Sequence, residues 1–140
     1  MRGIVIYESL TGHTKEAGRL IAAGLTAKGI DTVACPITAI DYQALSEADL
    51  VIIGSWTDGI FVVGQRPGRA HRLQAMPVLG GKQCLVYCTY AINPGKVLDK
   101  MTTIVEGRGA KVLGGMAIRR NDIPGGAKTF VERVLDNVNA

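Results

Sequence analysis

A short run of hydroxyl side chains around one glycine could bind an anion. Ser9, Thr11 and Thr14 surround Gly12, and a helical pattern begins directly after them. The first N–H groups of a helix have no partner within the helix, and they lie at the positive end of its dipole. Hydroxyls can donate hydrogen bonds there without adding charge. The pattern favours a phosphate site over its alternative, which is plain helix capping by a single threonine.

Other phosphate-handling motifs are absent from the sequence. It contains no Gly-x-Gly-x-x-Gly dinucleotide fingerprint and no Gly-Lys-Ser/Thr loop of the nucleotide triphosphatases. The hydroxyl-rich segment has no cysteine, which argues against a thiol phosphatase. No acids cluster at the predicted strand ends, which argues against a phospho-accepting receiver domain.

The only tryptophan of the chain, Trp56, stands two residues past the end of an apolar strand pattern. A tryptophan is by default a core residue. In a loop at a ligand crevice, stacking on a flat ring explains it better. We therefore predict that Trp56 lies in a loop and stacks on a ligand.

The elements that position these residues follow from hydropathy. Continuous apolar runs predict strands over residues 3–7, 31–35, 50–54, 83–88 and 111–118. Helical apolar spacing and turn residues predict helices over 14–28, 41–45, 69–76, 97–105 and 124–138. Because the strands are apolar throughout, both sheet faces should be covered. We predict one α/β domain over 1–140, a doubly wound open parallel sheet of five strands with helices on both faces.

Ligands of such sheets bind at the carboxyl ends of the strands. Here those ends are the segments 9–14, 55–66 and 89–95. The first of them, Tyr7-x-Ser9-x-Thr11-Gly12-x-Thr14, resembles the phosphate-binding signature of the flavodoxins. The resemblance extends over nearly the whole chain in element order, length and loop placement, and the first loop is its most specific part. It implies a short-chain flavodoxin with strand order 2-1-3-4-5.

The same resemblance implies flavin mononucleotide (FMN) as the cofactor. The phosphate would be held by the first loop, which comprises Ser9, Leu10, Thr11, Gly12, His13 and Thr14. The isoalloxazine ring would lie beside the second segment, which comprises Ser55, Trp56, Thr57, Asp58 and Gly59. In flavodoxins a glycine peptide often turns here when the flavin is reduced. In this chain Thr57 follows the tryptophan, and the glycine comes later in an Asp58-Gly59 turn pair.

The third segment, Thr89, Tyr90 and Ala91, resembles the second flavin-side loop of the family only loosely. The backbone N–H groups of Tyr90 and Ala91 could bond the pyrimidine end of the ring, and the phenol of Tyr90 could stack opposite Trp56. The alternative is an ordinary strand-to-helix turn that is capped by Asn93, with Pro94 as the first helical residue.

The charge of the chain departs from the family. Lys and Arg number 16 against 12 Asp and Glu, a net charge of +4, whereas many flavodoxins are strongly acidic. With fewer negative charges near it, the fully reduced flavin should form at a less negative potential.

Arg66, Arg69 and Arg72 recur every three residues. They could dock an acidic redox partner, hold the phosphates of a nicotinamide cofactor or an anionic substrate, or form a solvated face.

We therefore expect an FMN-binding, cytoplasmic electron-transfer protein that works between a reductase and a redox acceptor, with no catalytic residues of its own. One alternative is an FMN-dependent quinone reductase or protoporphyrinogen-type oxidase, and another is a flavin-free binding module. Neither nucleic acid nor membrane is expected as a partner, because the sequence has no basic helix and no long apolar stretch. Cys35, Cys84 and Cys88 should be reduced and buried, and no metal site is expected.

Overall fold

The computed structural model describes residues 1–58 and 65–138. Strands and helices alternate along the chain. The strands are β1 (Arg2–Tyr7), β2 (Asp31–Pro36), β3 (Leu50–Asp58), β4 (Arg66–Pro67), β5 (Gln83–Tyr90) and β6 (Lys111–Arg119). The helices are α1 (His13–Ala27), α2 (Tyr42–Glu47), α3 (Ala70–Gln74), α4 (Val97–Gly107) and α5 (Ile123–Asn137), and 3-10 turns cover Ile37–Ala39 and Arg120–Asp122.

Five of the strands form a parallel sheet in the order β2-β1-β3-β5-β6. This confirms the predicted fold class and strand order. The two-residue strand β4 was not predicted. It runs antiparallel to the end of β3, with Pro67 opposite Thr57 and Arg66 opposite Asp58.

Side chains alternate between two apolar layers on either side of the sheet. In β1, Ile4 and Ile6 belong to the layer that α2, α3 and α4 cover, whereas Val5 faces the layer under α1 and α5. The strands are thus buried on both faces, which explains why they read as continuous apolar runs rather than alternating ones.

Several helix boundaries are set by the residues that the sequence indicated. The Asp41 carboxylate accepts a hydrogen bond from the backbone N–H of Ala44 at 3.0 Å and caps α2. Gly29 ends α1 in the left-handed region, with φ of 93°, and lets the N–H of Ile30 donate to the Leu25 carbonyl at 2.9 Å.

The strands that lead to the site are longer than predicted. β3 continues through Trp56, which pairs with Thr89 of β5, so the prediction that Trp56 lies in a loop is wrong. The reason is non-local: β5 itself continues to Tyr90 and offers Trp56 a partner, and β4 folds back on the next two residues of β3.

The helix after β5 starts later than in the alternative for the third segment, in which Asn93 caps a helix that begins at Pro94. α4 begins at Val97, not at Pro94. The Asn93 carboxamide accepts a hydrogen bond from the N–H of Gly95 at 2.8 Å, so it stabilises a turn before the helix rather than the helix itself.

The three cysteines are free and buried, as predicted. Burial raises the pKa of the Cys84 thiol to about 12. Burial likewise raises the pKa of Cys88 to about 12, against a lowering contribution from the Thr57 hydroxyl. These thiols are therefore uncharged at neutral pH. Across residues 1–58 and 65–138, no group of three or more His, Cys, Asp or Glu side chains is placed to hold a metal ion, and no helix is long and apolar enough to cross a membrane.

Candidate ligand-binding site

A cavity of about 230 Å³ lies at the carboxyl edge of the sheet, beyond the ends of β1, β3, β5 and β6. Parallel α/β sheets bind their ligands at this edge. The cavity is lined by Leu10, Thr11, His13, Trp56, Thr57, Thr89, Tyr90, Ala91 and Arg120. All of these except Arg120 were predicted from the sequence, so the structure brings the three predicted segments together around one space.

The first loop is folded around Gly12 and the Ser9 hydroxyl. Gly12 has φ of 97°, which glycine adopts without strain, and it directly precedes α1. The Ser9 hydroxyl oxygen accepts hydrogen bonds from the N–H groups of Gly12 and Lys15, at 3.2 and 3.3 Å. Among the described residues, no hydrogen bond is made by the N–H groups of His13 and Thr14, the first two residues of α1, as is usual at the start of a helix.

The Thr14 side chain does not line the cavity but holds the first loop to the protein interior. It is buried, and its hydroxyl lies 2.7 Å from the Thr89 hydroxyl. The Thr14 carbonyl accepts a hydrogen bond from the Tyr87 hydroxyl at 2.8 Å. Burial raises the pKa of Tyr87, so the phenol keeps its proton and remains a donor.

Of the three hydroxyls that the sequence suggested as anion donors, only that of Thr11 lines the cavity. It is exposed and lies 2.8 Å from Nδ1 of His13. Ser9 and Thr14 shape the loop through the bonds just described. Direct contact of these two side chains with an anion stays a prediction.

The indole of Trp56 forms a wall of the cavity and lies against the backbone of Gly68. A Cβ at Gly68 would overlap the indole ring, so only glycine fits there. The Gly68 N–H donates to the Trp56 carbonyl at 2.7 Å, and the buried Ser55 hydroxyl donates to the Gly68 carbonyl at 3.0 Å. Ser55 thus holds Gly68 in place from the protein interior, and Gly68 in turn supports the indole of Trp56. Among the described residues, Nε1 of Trp56 has no hydrogen-bond partner.

The remaining walls come from the ends of β5 and β6. Tyr90 and Ala91 are half-buried at the end of β5. Arg120 stands in the turn after β6, and sequence reasoning missed it. The signal was available, since β6 is parallel to the other strands and its carboxyl end reaches the same edge.

The described lining of the cavity contains no carboxylate and includes the positively charged Arg120. Asp58 does not line it and pairs with Arg66 at 3.4 Å. The predicted residue Gly59 lies outside the described residues, so its role stays a prediction.

The arginines at positions 66, 69 and 72 do not form one free basic surface. Arg69 and Arg72 converge on Oε1 of the buried Glu8, at 2.9 and 2.6 Å from their Nη1 atoms. Sequence reasoning missed Glu8, which comes directly after β1. Since Arg66 pairs with Asp58, all three cations have a carboxylate partner within the protein, which leaves less charge for an acidic partner than their spacing suggested.

Solved structures with the same architecture are numerous, although no family model and no curated protein matches the sequence. Flavodoxin 1 from Bacillus cereus superposes with a TM-score of 0.71 at 18% identity, covering 99% of this chain and 100% of the other. A flavodoxin variant from Pseudomonas aeruginosa gives 0.74 at 13% identity, with 97% of each chain covered. The two-electron reduced flavodoxin of Megasphaera elsdenii gives 0.66 at 19% identity, covering 94% of this chain and 99% of the other.

The chain has the flavodoxin fold. In this fold the strand order reverses between β1 and β3, because the chain leaves β1 toward β2 and leaves β3 toward β5. Neighbouring loops diverge at such a point and open a crevice. The first loop follows β1 and Trp56 lies near the end of β3, so the cavity lies at this crevice.

Proposed function

We propose that this protein binds FMN in the cavity and carries electrons between redox proteins. The observation that carries the proposal is the combination of a helix N-terminus and two flat side chains around one space without a described carboxylate. A phosphate needs N–H and hydroxyl donors, and an isoalloxazine ring needs flat apolar contacts. Each half of the site supplies one of these two requirements.

The donor set fits the phosphate of FMN. The N–H groups of His13 and Thr14 at the start of α1, together with the hydroxyl of the cavity-lining Thr11, are the groups that would hold it. The resemblance in Ser9, Leu10 and Gly12 extends this role to the whole loop. The contacts of Thr14 with Thr89 and Tyr87 keep the loop rigid, so little ordering is needed on binding.

The second half of the site fits the ring. Trp56, Tyr90 and Ala91 line the cavity together, and the resemblance places the pyrimidine end of the ring at the N–H groups of Tyr90 and Ala91. FMN would supply the redox chemistry, and the chain would supply binding, orientation and charge. The Asp58-Gly59 turn pair remains the proposed place for a peptide that turns on reduction.

The partners in this proposal are a reductase and a redox acceptor with acidic surfaces, in the cytoplasm. Arg66 and Arg119 are exposed near the carboxyl edge, and Arg120 adds charge at the cavity itself. Oppositely charged partners associate faster at low ionic strength. Reversing one charge with Arg66→Glu should slow reduction by such a partner and flatten its salt dependence, whereas an unchanged rate at low salt would remove this docking role.

The test is a titration of stripped protein with FMN and with riboflavin, while Trp56 fluorescence is followed. FMN should quench stoichiometrically, because the ring would lie against the indole. Riboflavin lacks the phosphate and should bind at least roughly tenfold more weakly, because charge-assisted hydrogen bonds at the loop are lost. Equal affinities would remove the phosphate role of the first loop.

Two other outcomes would replace the proposal. A colourless protein whose tryptophan is not quenched by FMN would be a flavin-free binding module on the flavodoxin fold. Fast turnover of quinones with a nicotinamide reductant by the isolated, FMN-loaded protein would make it a reductase rather than a carrier.

A further inference from the structure

Glu8 is a buried carboxylate that the proposed function does not use. It is 3% exposed, follows β1 directly, and is not among the residues that line the cavity. Its Oε1 accepts from Arg69 and Arg72 at 2.9 and 2.6 Å, and its Oε2 accepts from Arg72 at 3.1 Å. A carboxylate at this depth is stable only when it is paired, so Glu8 holds both guanidinium groups in place.

Arg69 has an unusual backbone conformation. With φ of 48° and ψ of 51°, it is the one non-glycine residue at positive φ in 1–58 and 65–138. A side chain with a Cβ disfavours this left-handed region, so surrounding contacts must hold it there. The Glu8 ion pair acts on this residue, and the Arg69 carbonyl accepts from the N–H of Arg72 at 2.9 Å.

The residue before Arg69 is Gly68, which supports the indole of Trp56. Gly68 is bonded to Trp56 and Ser55 through its N–H and its carbonyl, and the indole lies where a Cβ of residue 68 would be. Any change in the turn at residue 69 therefore moves the surface on which Trp56 rests.

We propose that Glu8 is a positioning residue for the ligand cavity. By holding Arg69 in the left-handed conformation, it fixes Gly68 and thereby the indole of Trp56. A planar aromatic ligand then meets a wall that is already in place. That this ligand is FMN rests on the proposed function, whereas the effect on Trp56 itself does not.

The first test needs no flavin. Trp56 is the only tryptophan, so intrinsic fluorescence reports on this one side chain. In stripped Glu8→Gln, acrylamide should quench Trp56 with at least a twofold larger constant, and fluorescence anisotropy should fall. Glu47→Gln is the matched control, because it removes an exposed carboxylate that pairs with Arg2 at 2.7 Å. It should leave both readings unchanged.

A rescue separates positioning from mere structural support. Glycine adopts the left-handed region without strain, so Arg69→Gly does not need Glu8 to hold the turn. The double variant Glu8→Gln with Arg69→Gly should return acrylamide quenching to the wild-type value. A Glu8 that served only to stabilise the end of β1 would not be rescued, and that result would overturn the proposal.

A second pair of variants leaves Glu8 intact, in case Glu8→Gln does not fold. Arg69→Ala and Arg69→Gly both remove the same ion pair, but only alanine strains the turn. The proposal requires greater quenching of Trp56 in Arg69→Ala than in Arg69→Gly, and equal quenching overturns it. FMN affinity should follow the same order. If wild-type protein binds no FMN, the proposed function fails while the Trp56 comparison still decides the role of Glu8.

Discussion

The hydroxyls of Thr14 and Thr89 lie 2.7 Å apart in the interior and join the first turn of α1 to the end of β5. Removing one of them leaves the other buried without a partner. Thr14→Val or Thr89→Val should therefore each lower the free energy of unfolding of the stripped protein by about 1–3 kcal/mol. The double variant should cost clearly less than the sum, because no unpaired hydroxyl remains. Urea unfolding measures all three.

The control for this cycle is Thr103→Val on α4. Thr103 is exposed and donates only to the Asp99 carbonyl of its own helix, at 3.1 Å. Its substitution should change stability by no more than about 0.5 kcal/mol. Additive losses for Thr14 and Thr89 would show that the two hydroxyls are not coupled.

A second prediction concerns the loss of stability when Gly54 is replaced by a larger residue. A Cβ there would overlap the ring of Tyr87, whose hydroxyl donates to the Thr14 carbonyl. Gly54→Ala should lower the free energy of unfolding by about 1–3 kcal/mol through overpacking. It should also weaken FMN binding, because the displaced phenol no longer holds the first loop.

The matched control is Gly107→Ala, at the end of α4. A Cβ there meets nothing within 4 Å, and alanine is the better helix former. This variant should be neutral or more stable by up to about 1 kcal/mol. Thermal unfolding of the two variants side by side distinguishes crowding at Gly54 from a general sensitivity to alanine.

The fold could be predicted because its signals are local. The apolar run at 50–54 and the helical spacing at 14–28 each lie within a few residues, and both predict the correct element. The extension of β3 could not be predicted in this way. The stretch from Ser55 to Asp58 has no strand pattern of its own and becomes a strand only because β5 and β4 lie beside it.

The same distinction between local patterns and contacts distant in sequence explains which site residues could be predicted. The first loop can be recognised from the sequence because its pattern lies within six consecutive residues, 9–14. Glu8, in contrast, meets its partners 61 and 64 positions away, and nothing in the local sequence indicates that contact. Because of this contact, Arg69 and Arg72, whose spacing suggested a basic docking face, instead form an ion-pair cluster with Glu8.

The buried thiols predict a loss of stability at alkaline pH. Burial raises the pKa of Cys84 from 9.0 to about 12, so the unfolded chain releases this proton at a lower pH than the folded protein. Stability from this group is complete below pH 9 and is lost as pH rises toward 12. The slope should be about 1.4 kcal/mol per pH unit for each such thiol.

Urea unfolding between pH 8 and 11 measures that slope, and Cys84→Ala should reduce it by the share of one thiol. A thiol reagent gives an independent check, because only the thiolate reacts. The native protein should react slowly and the unfolded protein rapidly at all three cysteines. Rapid modification of the native protein would contradict the buried, protonated state.

The last prediction concerns the redox potential and rests on FMN as the ligand. Both side chains are exposed, but Arg120 lines the cavity and its neighbour Arg119 does not. A positive charge beside the fully reduced, anionic flavin stabilises it and makes the last reduction step easier. Arg120→Gln should therefore shift that potential by roughly 20–40 mV to more negative values, about a two- to fivefold change in equilibrium constant.

Arg119→Gln removes the same charge one residue away and should shift the potential by less than half as much, because this charge lies outside the cavity and solvent and salt screen it from the ligand. Redox titration of wild type and both variants at two ionic strengths makes the comparison. Equal shifts would mean that net charge, not the position of Arg120, sets the potential. A wild-type potential as low as that of acidic flavodoxins would contradict the expectation that the basic character of this chain favours full reduction.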